Sequence, residues 1–265
     1  MKKYLQVFKI TFKEYFVYRL NFLLWRVRNV AQLLVLYFLW QAAIPEGQTV
    51  FGYDQTKMLT YILGVSIIRS FVLASRSVEV ASDIATGDLS NFLLKPLGYF
   101  RYWFTRDIAD KILNFSLAVI EITLVIFILH PPLVFQKSLH LLFLTLLAVG
   151  VGTILYFYFS LLLAMIAFWS PENSWSPRFL FLIVLEFFAG GLFPLDILPG
   201  LVFRSLSFLP FPYLLFFPLN VYLGKLTSGE ILFGLSVGLV WVFLFYRAVK
   251  FTFQLGLKNY MAWGR

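Results

Sequence analysis

The 265-residue chain contains no cysteine and only two histidines. The first absence removes disulfides, thiol nucleophiles and cysteine-ligated metals. His130 and His140 flank a single short loop, and two ligands are too few for a metal site. With these two histidines a catalytic triad has little to draw on, so no nucleophile elbow or other enzymatic centre is expected. No GxxxxGK[ST] phosphate loop and no HExxH occurs, so this polypeptide is not expected to hydrolyse ATP itself or to hold a cofactor.

Charge is scarce as well. Only 13% of residues are charged, against about a quarter in a soluble domain. With 60% hydrophobic and 20% aromatic residues, a water-facing shell cannot be assembled, and the natural solvent is lipid. Several runs exceed the roughly 18 apolar residues that mark a membrane-spanning helix. The net charge of +9 reads as basic flanks that set topology, not as a nucleic-acid surface. A cleavable signal is not expected either, because Lys9, Lys13 and Glu14 interrupt any apolar core near the start.

The expected fold is an all-α integral membrane protein, with residues 1–265 forming a single transmembrane domain. Residues 1–19 are too charged to span. As a helix they place Leu5, Phe8, Phe12 and Phe16 on one side beside Lys2, Lys9 and Lys13. That suits an interfacial helix whose lysines reach anionic headgroups, or an amphipathic helix packed on a soluble partner. Six spans are expected, at about 22–43, 57–75 (continuing as a helix through Ile84), 109–129, 140–168, from Arg178 to Gly190-Gly191, and 230–250. With both termini cytoplasmic, only Lys57, Lys137, Arg204 and Lys225 of the 22 basic residues fall outside, which satisfies the positive-inside rule. The last span ends in a basic tail of Arg247, Lys250, Lys258 and Arg265.

Between the fifth and sixth spans, residues 190–228 are apolar but broken at Pro194, Pro199, Pro210, Pro212 and Pro218. That is too often for a clean span. Short helices dipping in from the outer face would satisfy the backbone there. A seventh span is the alternative, but it would carry the basic tail outside. Gly234 and Gly238 form a GxxxG, which marks close helix packing within the subunit or between subunits.

Three charges fall in the middle of spans, where lipid makes them costly: Arg69, Glu121 and Glu186. They either line a substrate path or pair, Arg69 with Glu121 or with Glu186, to fix helix packing. The loop at 76–108 carries IATGDLSNFLLKPL. Here Gly87 stops one helix, Asp88 is the expected N-cap of a short second one, and Pro96 ends it. Leu89, Phe92 and Leu93 are expected on one side. Such a helix can enter a groove in another protein, lie on the headgroups, or fold against the chain's own helices.

Taken together, the N-terminal amphipathic helix, the Gly87-Asp88-Leu89 and Leu93-Leu94-Lys95-Pro96 loop, and the GGLFPLDILP and LPFPYLLFFP segments resemble the ABC-2 family. The likeness is to permease subunits of its bacterial six-span branch, and it covers essentially the whole chain. It implies an exporter permease in the bacterial cell membrane, paired with a separate ATPase subunit that supplies ATP and magnesium, and with a second permease, identical or homologous. It also implies that Gly87, Asp88, Leu89, Phe92, Leu93, Leu94, Lys95 and Pro96 form a coupling helix in the ATPase cleft. Residues from Gly190 and Gly191 to Pro218 would be extracellular re-entrant helices. An ATP-independent channel or ion-coupled carrier, with Arg69, Glu121 and Glu186 as its relay, is the rival reading.

Overall fold

The computed structural model describes residues 2–14, 19–173 and 176–260; Phe16 and Arg265 lie outside the described residues. Eleven helices follow one another among these. They are α1 (Lys2–Glu14), α2 (Arg19–Ala43), α3 (Gln55–Val72), α4 (Ser77–Ala85), α5 (Asp88–Leu93), α6 (Tyr99–Leu129), α7 (Leu139–Ala164), α8 (Ser176–Phe188), α9 (Gly200–Leu206), α10 (Phe216–Tyr222) and α11 (Ser228–Asn259). One small departure from all-α is a hairpin of two-residue strands, β1 (Thr49–Val50) and β2 (Tyr53–Asp54). Its turn needs positive φ at Phe51 and Gly52, and glycine adopts that conformation easily.

Local chemistry sets the helix ends. The Asp54 carboxylate accepts from Lys57 N at 2.7 Å and starts α3. Thr227 and Glu230 form a reciprocal capping box at the start of α11. α6 stops at His130, which turns left-handed ahead of Pro131 and Pro132.

Among the described residues, four helical stretches are long and apolar enough to cross a membrane: Gln55–Ala85, Tyr99–Leu129, Leu139–Phe168 and Ser228–Asn259. The third and last expected spans are therefore parts of longer helices. α2 carries Arg26 and Arg28, and α8, at 13 residues, is about 20 Å long; neither meets the criterion. Large apolar side chains such as Phe127, Leu146, Leu232 and Phe243 point outward, as lipid-facing surfaces require.

α3 packs against α2 and α6, and α7 packs against α10 and α11. Tyr61, Ile62, Leu155, Phe216 and Leu219 meet in the main core. α1 lies along α6 and buries Thr11, with Phe8 and Phe12 half-buried and Leu5 exposed.

The expected continuous helix from the second span through Ile84 is broken. α3 ends at Val72, α4 begins at Ser77, and residues 73–76 form a joint. Beyond α8 the chain reaches the hairpin end at Asp196. It dips back to Phe211–Tyr213, deep beside α7, and returns along α10 to Lys225. The α10 segment is buried almost throughout. A Cβ on Gly152 would meet the Tyr213 carbonyl at 2.9 Å, and one on Gly234 would run into the Phe217 ring. The GxxxG of α11 thus serves packing inside the subunit. The same residues, GLSVG, have the spacing of a nucleophile elbow, but Ser236 lies in mid-helix and donates to the Leu232 carbonyl at 2.8 Å.

Candidate functional site

α4 and α5 form an elbow at one end of the bundle. Gly87, at φ +85°, is the residue after the C-cap of α4 and also the N-cap of α5. Only glycine takes that backbone conformation without strain. Asp88 is therefore the first residue of α5 and not its cap. Its carboxylate accepts from Thr86 Oγ1 at 2.9 Å and from Asn91 Nδ2 at 3.4 Å.

The elbow divides its apolar residues. Leu89 is fully buried and Phe92 nearly so, among Val80, Ile84, Tyr99 and Trp103. The Phe92 ring lies 5.1 Å from that of Tyr99 and 4.8 Å from that of Tyr102. Leu93 is 48% exposed and Leu94 87% exposed, followed by exposed Lys95 and Pro96. The expected shared face of Leu89, Phe92 and Leu93 is corrected. The first two hold α5 to its own chain, because the Gly87 turn folds them onto α4 and α6. Leu93 and Leu94 make the free apolar tip.

Behind the elbow, the joint at 73–76 is held by side chains from α1, α4, α6, α7 and α8. Lys111 of α6, completely buried, donates to the carbonyls of Val72, at 2.9 Å, and Ala74. It also pairs with Asp107 at 3.2 Å. Asp107 accepts the Arg76 amide at 3.0 Å, Ser75 bonds Ser160 of α7, and Arg178 of α8 donates to Ser77 Oγ at 2.5 Å. Each backbone group freed by the break that these bonds reach is satisfied, as burial demands. From α1, Glu14 pairs with Arg76 at 2.9 Å and with Arg106 at 2.5 Å. Glu79 of α4 pairs with the same two arginines. Sequence reading missed this network because a span started at 109 leaves Asp107 in the loop and separates it from Lys111. Their i, i+4 spacing was the available signal.

Arg69, Glu121 and Glu186 do not form one patch. Arg69 donates to Glu186 at 2.7 Å and to the Gly191 carbonyl at 3.0 Å, linking α3 to the end of α8. A Cβ on Gly191 would lie 2.5 Å from the Arg69 guanidinium, so glycine permits the approach. Glu121 instead receives both arms of Arg26 from α2, with Nε at 2.6 Å, and Arg26 also reaches Asn114 at 3.5 Å. The fork-to-carboxylate geometry suits a pair withdrawn from water.

At the hairpin end, Asp196 accepts from Lys225 at 2.6 Å and from the Tyr53 hydroxyl at 3.0 Å. Lys225 lies 3.4 Å over the Tyr53 ring. Burial, then the Asp196 charge, pushes the Tyr53 phenol well above its ordinary pKa, so it remains a neutral donor. Tyr61 donates to the Gly190 carbonyl at 2.7 Å and Trp40 to that of Leu192 at 3.0 Å. Of the residues expected at an outer gate, Gly190 and Gly191 sit at this turn, Pro194 and Pro199 precede short helical turns, and Pro210, Pro212 and Pro218 line the descent and return. Among the described residues no cluster of metal-ligating side chains occurs.

A family described as ABC-2 family transporter protein matches residues 30–264. No curated protein and no solved structure matches the chain.

Proposed function

The chain belongs to the ABC-2 family of transporter proteins, and we propose that it is the membrane-embedded permease of an ATP-driven exporter, docked to its ATPase subunit through the tip of α5. One observation carries the docking assignment. Leu93 and Leu94 are exposed on a helix that Leu89 and Phe92 clamp rigidly to the bundle. A short helix with a fixed base and an apolar tip can fill a groove without first being ordered, which lowers the entropic cost of binding.

The joint at 73–76 gives the elbow a mechanical route inward. Movement of α4 would pull on Asp107 and Lys111 of α6, Ser160 of α7 and Arg178 of α8. Nucleotide-driven motion of a docked ATPase would then bias two arrangements of these helices. In this reading α2 and α8 complete six crossings, with the elbow and both termini in the cytoplasm of a bacterial cell. The 190–222 segment is re-entrant from the outer face, and a second permease, identical or homologous, completes the path. Arg26–Glu121 and Arg69–Glu186 are paired and act as packing locks. The charge partners that an ion-coupled carrier would use are thus already occupied.

Gentle solubilisation of the tagged chain, expressed with its ATPase subunit, tests the docking. Wild type should retain the ATPase in stoichiometric amount, and the L93D/L94D variant should lose it while keeping its helicity. Equal retention by both would refute docking through this tip.

A further inference from the structure

We propose that the face of α11 carrying Arg247, Lys250 and Gln254 is a binding site for anionic phospholipid headgroups. The helix begins at its capping box, and at about 1.5 Å per residue Arg247 and Lys250 lie roughly 30 Å along it. That distance is about the thickness of a hydrocarbon core. One face of the helix changes character there. Val240 and Phe243, both exposed, give way at helical spacing to Arg247, Lys250, Gln254 and Lys258, also exposed.

Four cations toward the elbow end are held in pairs of their own. Arg26, Arg76, Arg106 and Lys111 all sit in ion pairs. Arg247, Lys250 and Lys258, in contrast, form no ion pair among the described residues. Arg247, Lys250, Phe251 and Gln254, all on α11, border an open surface hollow of about 460 Å³. Lys250 rests 4.5 Å over the Tyr246 ring, an aromatic at the level where such rings favour the membrane interface.

A phosphodiester above the apolar stripe would meet two cations and an amide, while its acyl chains continued along Phe243 and Val240. Charge complementarity and this continuity with the lipid-facing surface favour a lipid over a protein occupant. The site needs the membrane and not the ATPase partnership, so it can fail while the docking assignment stands.

The test uses the full chain in nanodiscs of phosphatidylcholine with and without phosphatidylglycerol, with retained lipid read by native mass spectrometry. Wild type should retain phosphatidylglycerol selectively and unfold at a higher temperature in its presence. At about one kcal/mol per basic residue, R247Q/K250Q should bind phosphatidylglycerol about thirtyfold more weakly. K137Q/R204Q, with the same charge change elsewhere on the chain, should bind it as wild type does. Should the first double variant aggregate, the single variants should each show a loss of about fivefold. Unchanged retention in R247Q/K250Q, equal losses in both doubles, or equal protection by inorganic phosphate would overturn the proposal. So would intact lipid retention in R247Q/K250Q accompanied by loss of the ATPase subunit.

Discussion

Lys111, with no exposed surface, places its ammonium 2.9 Å from the carbonyl oxygen of Val72, the last residue of α3. A side chain of α6 thereby completes the end of a different helix, and does so where α3 hands over to the elbow. Lys111→Met should leave two carbonyls and the Asp107 carboxylate without their cation, at a cost of about 3–5 kcal/mol. Thermal unfolding in detergent would measure this, and a shift within error of wild type would contradict the assigned role.

The elbow's leucines should separate cleanly. Leu89→Ala removes a fully buried side chain and should destabilise the fold by about 2–5 kcal/mol. Leu94→Ala, at an exposed tip, should leave stability nearly unchanged and weaken ATPase retention. Chemical denaturation of both variants, with pull-down of the ATPase, gives the comparison.

Two glycines two residues apart on α7, and so on nearly opposite faces, make opposite predictions. Gly152→Ala drives a Cβ against the Tyr213 carbonyl and should cost about 1–3 kcal/mol through overpacking. Gly150→Ala meets nothing within 4 Å and should be neutral or gain up to about 1 kcal/mol from helix propensity. Melting temperatures of the two variants check the pair.

Glu186→Gln strands the Arg69 guanidinium beside Gly191. Because both partners keep some exposure, the expected loss is about 1–3 kcal/mol, below that of a fully buried pair. In R69M/E186Q much of the stability should return. If transport returns with it, the pair is a packing lock. Restored stability without transport would instead place one of the two on the substrate path.

Much of this protein follows from composition and pattern. Too few charges for a water-facing shell require lipid, and long apolar runs require helices, since only internal hydrogen bonding satisfies a backbone there. Gly87 and Pro96 announce the α4–α5 elbow by their backbone restrictions alone. What one-dimensional spacing does not contain is the partner of each side chain. Leu89 and Leu93 have the same chemistry and a helical spacing that suggests one face, yet the Gly87 turn buries the first and leaves the second free. Glu121 chose Arg26 and Glu186 chose Arg69 because helices distant in the chain lie side by side. Likewise, the break after Val72 is stable only because Lys111 and Asp107 arrive from another helix to bond its freed backbone groups. The chain's solvent is a property of its sums, whereas its pairings depend on which segments pack together, and that is settled only in three dimensions.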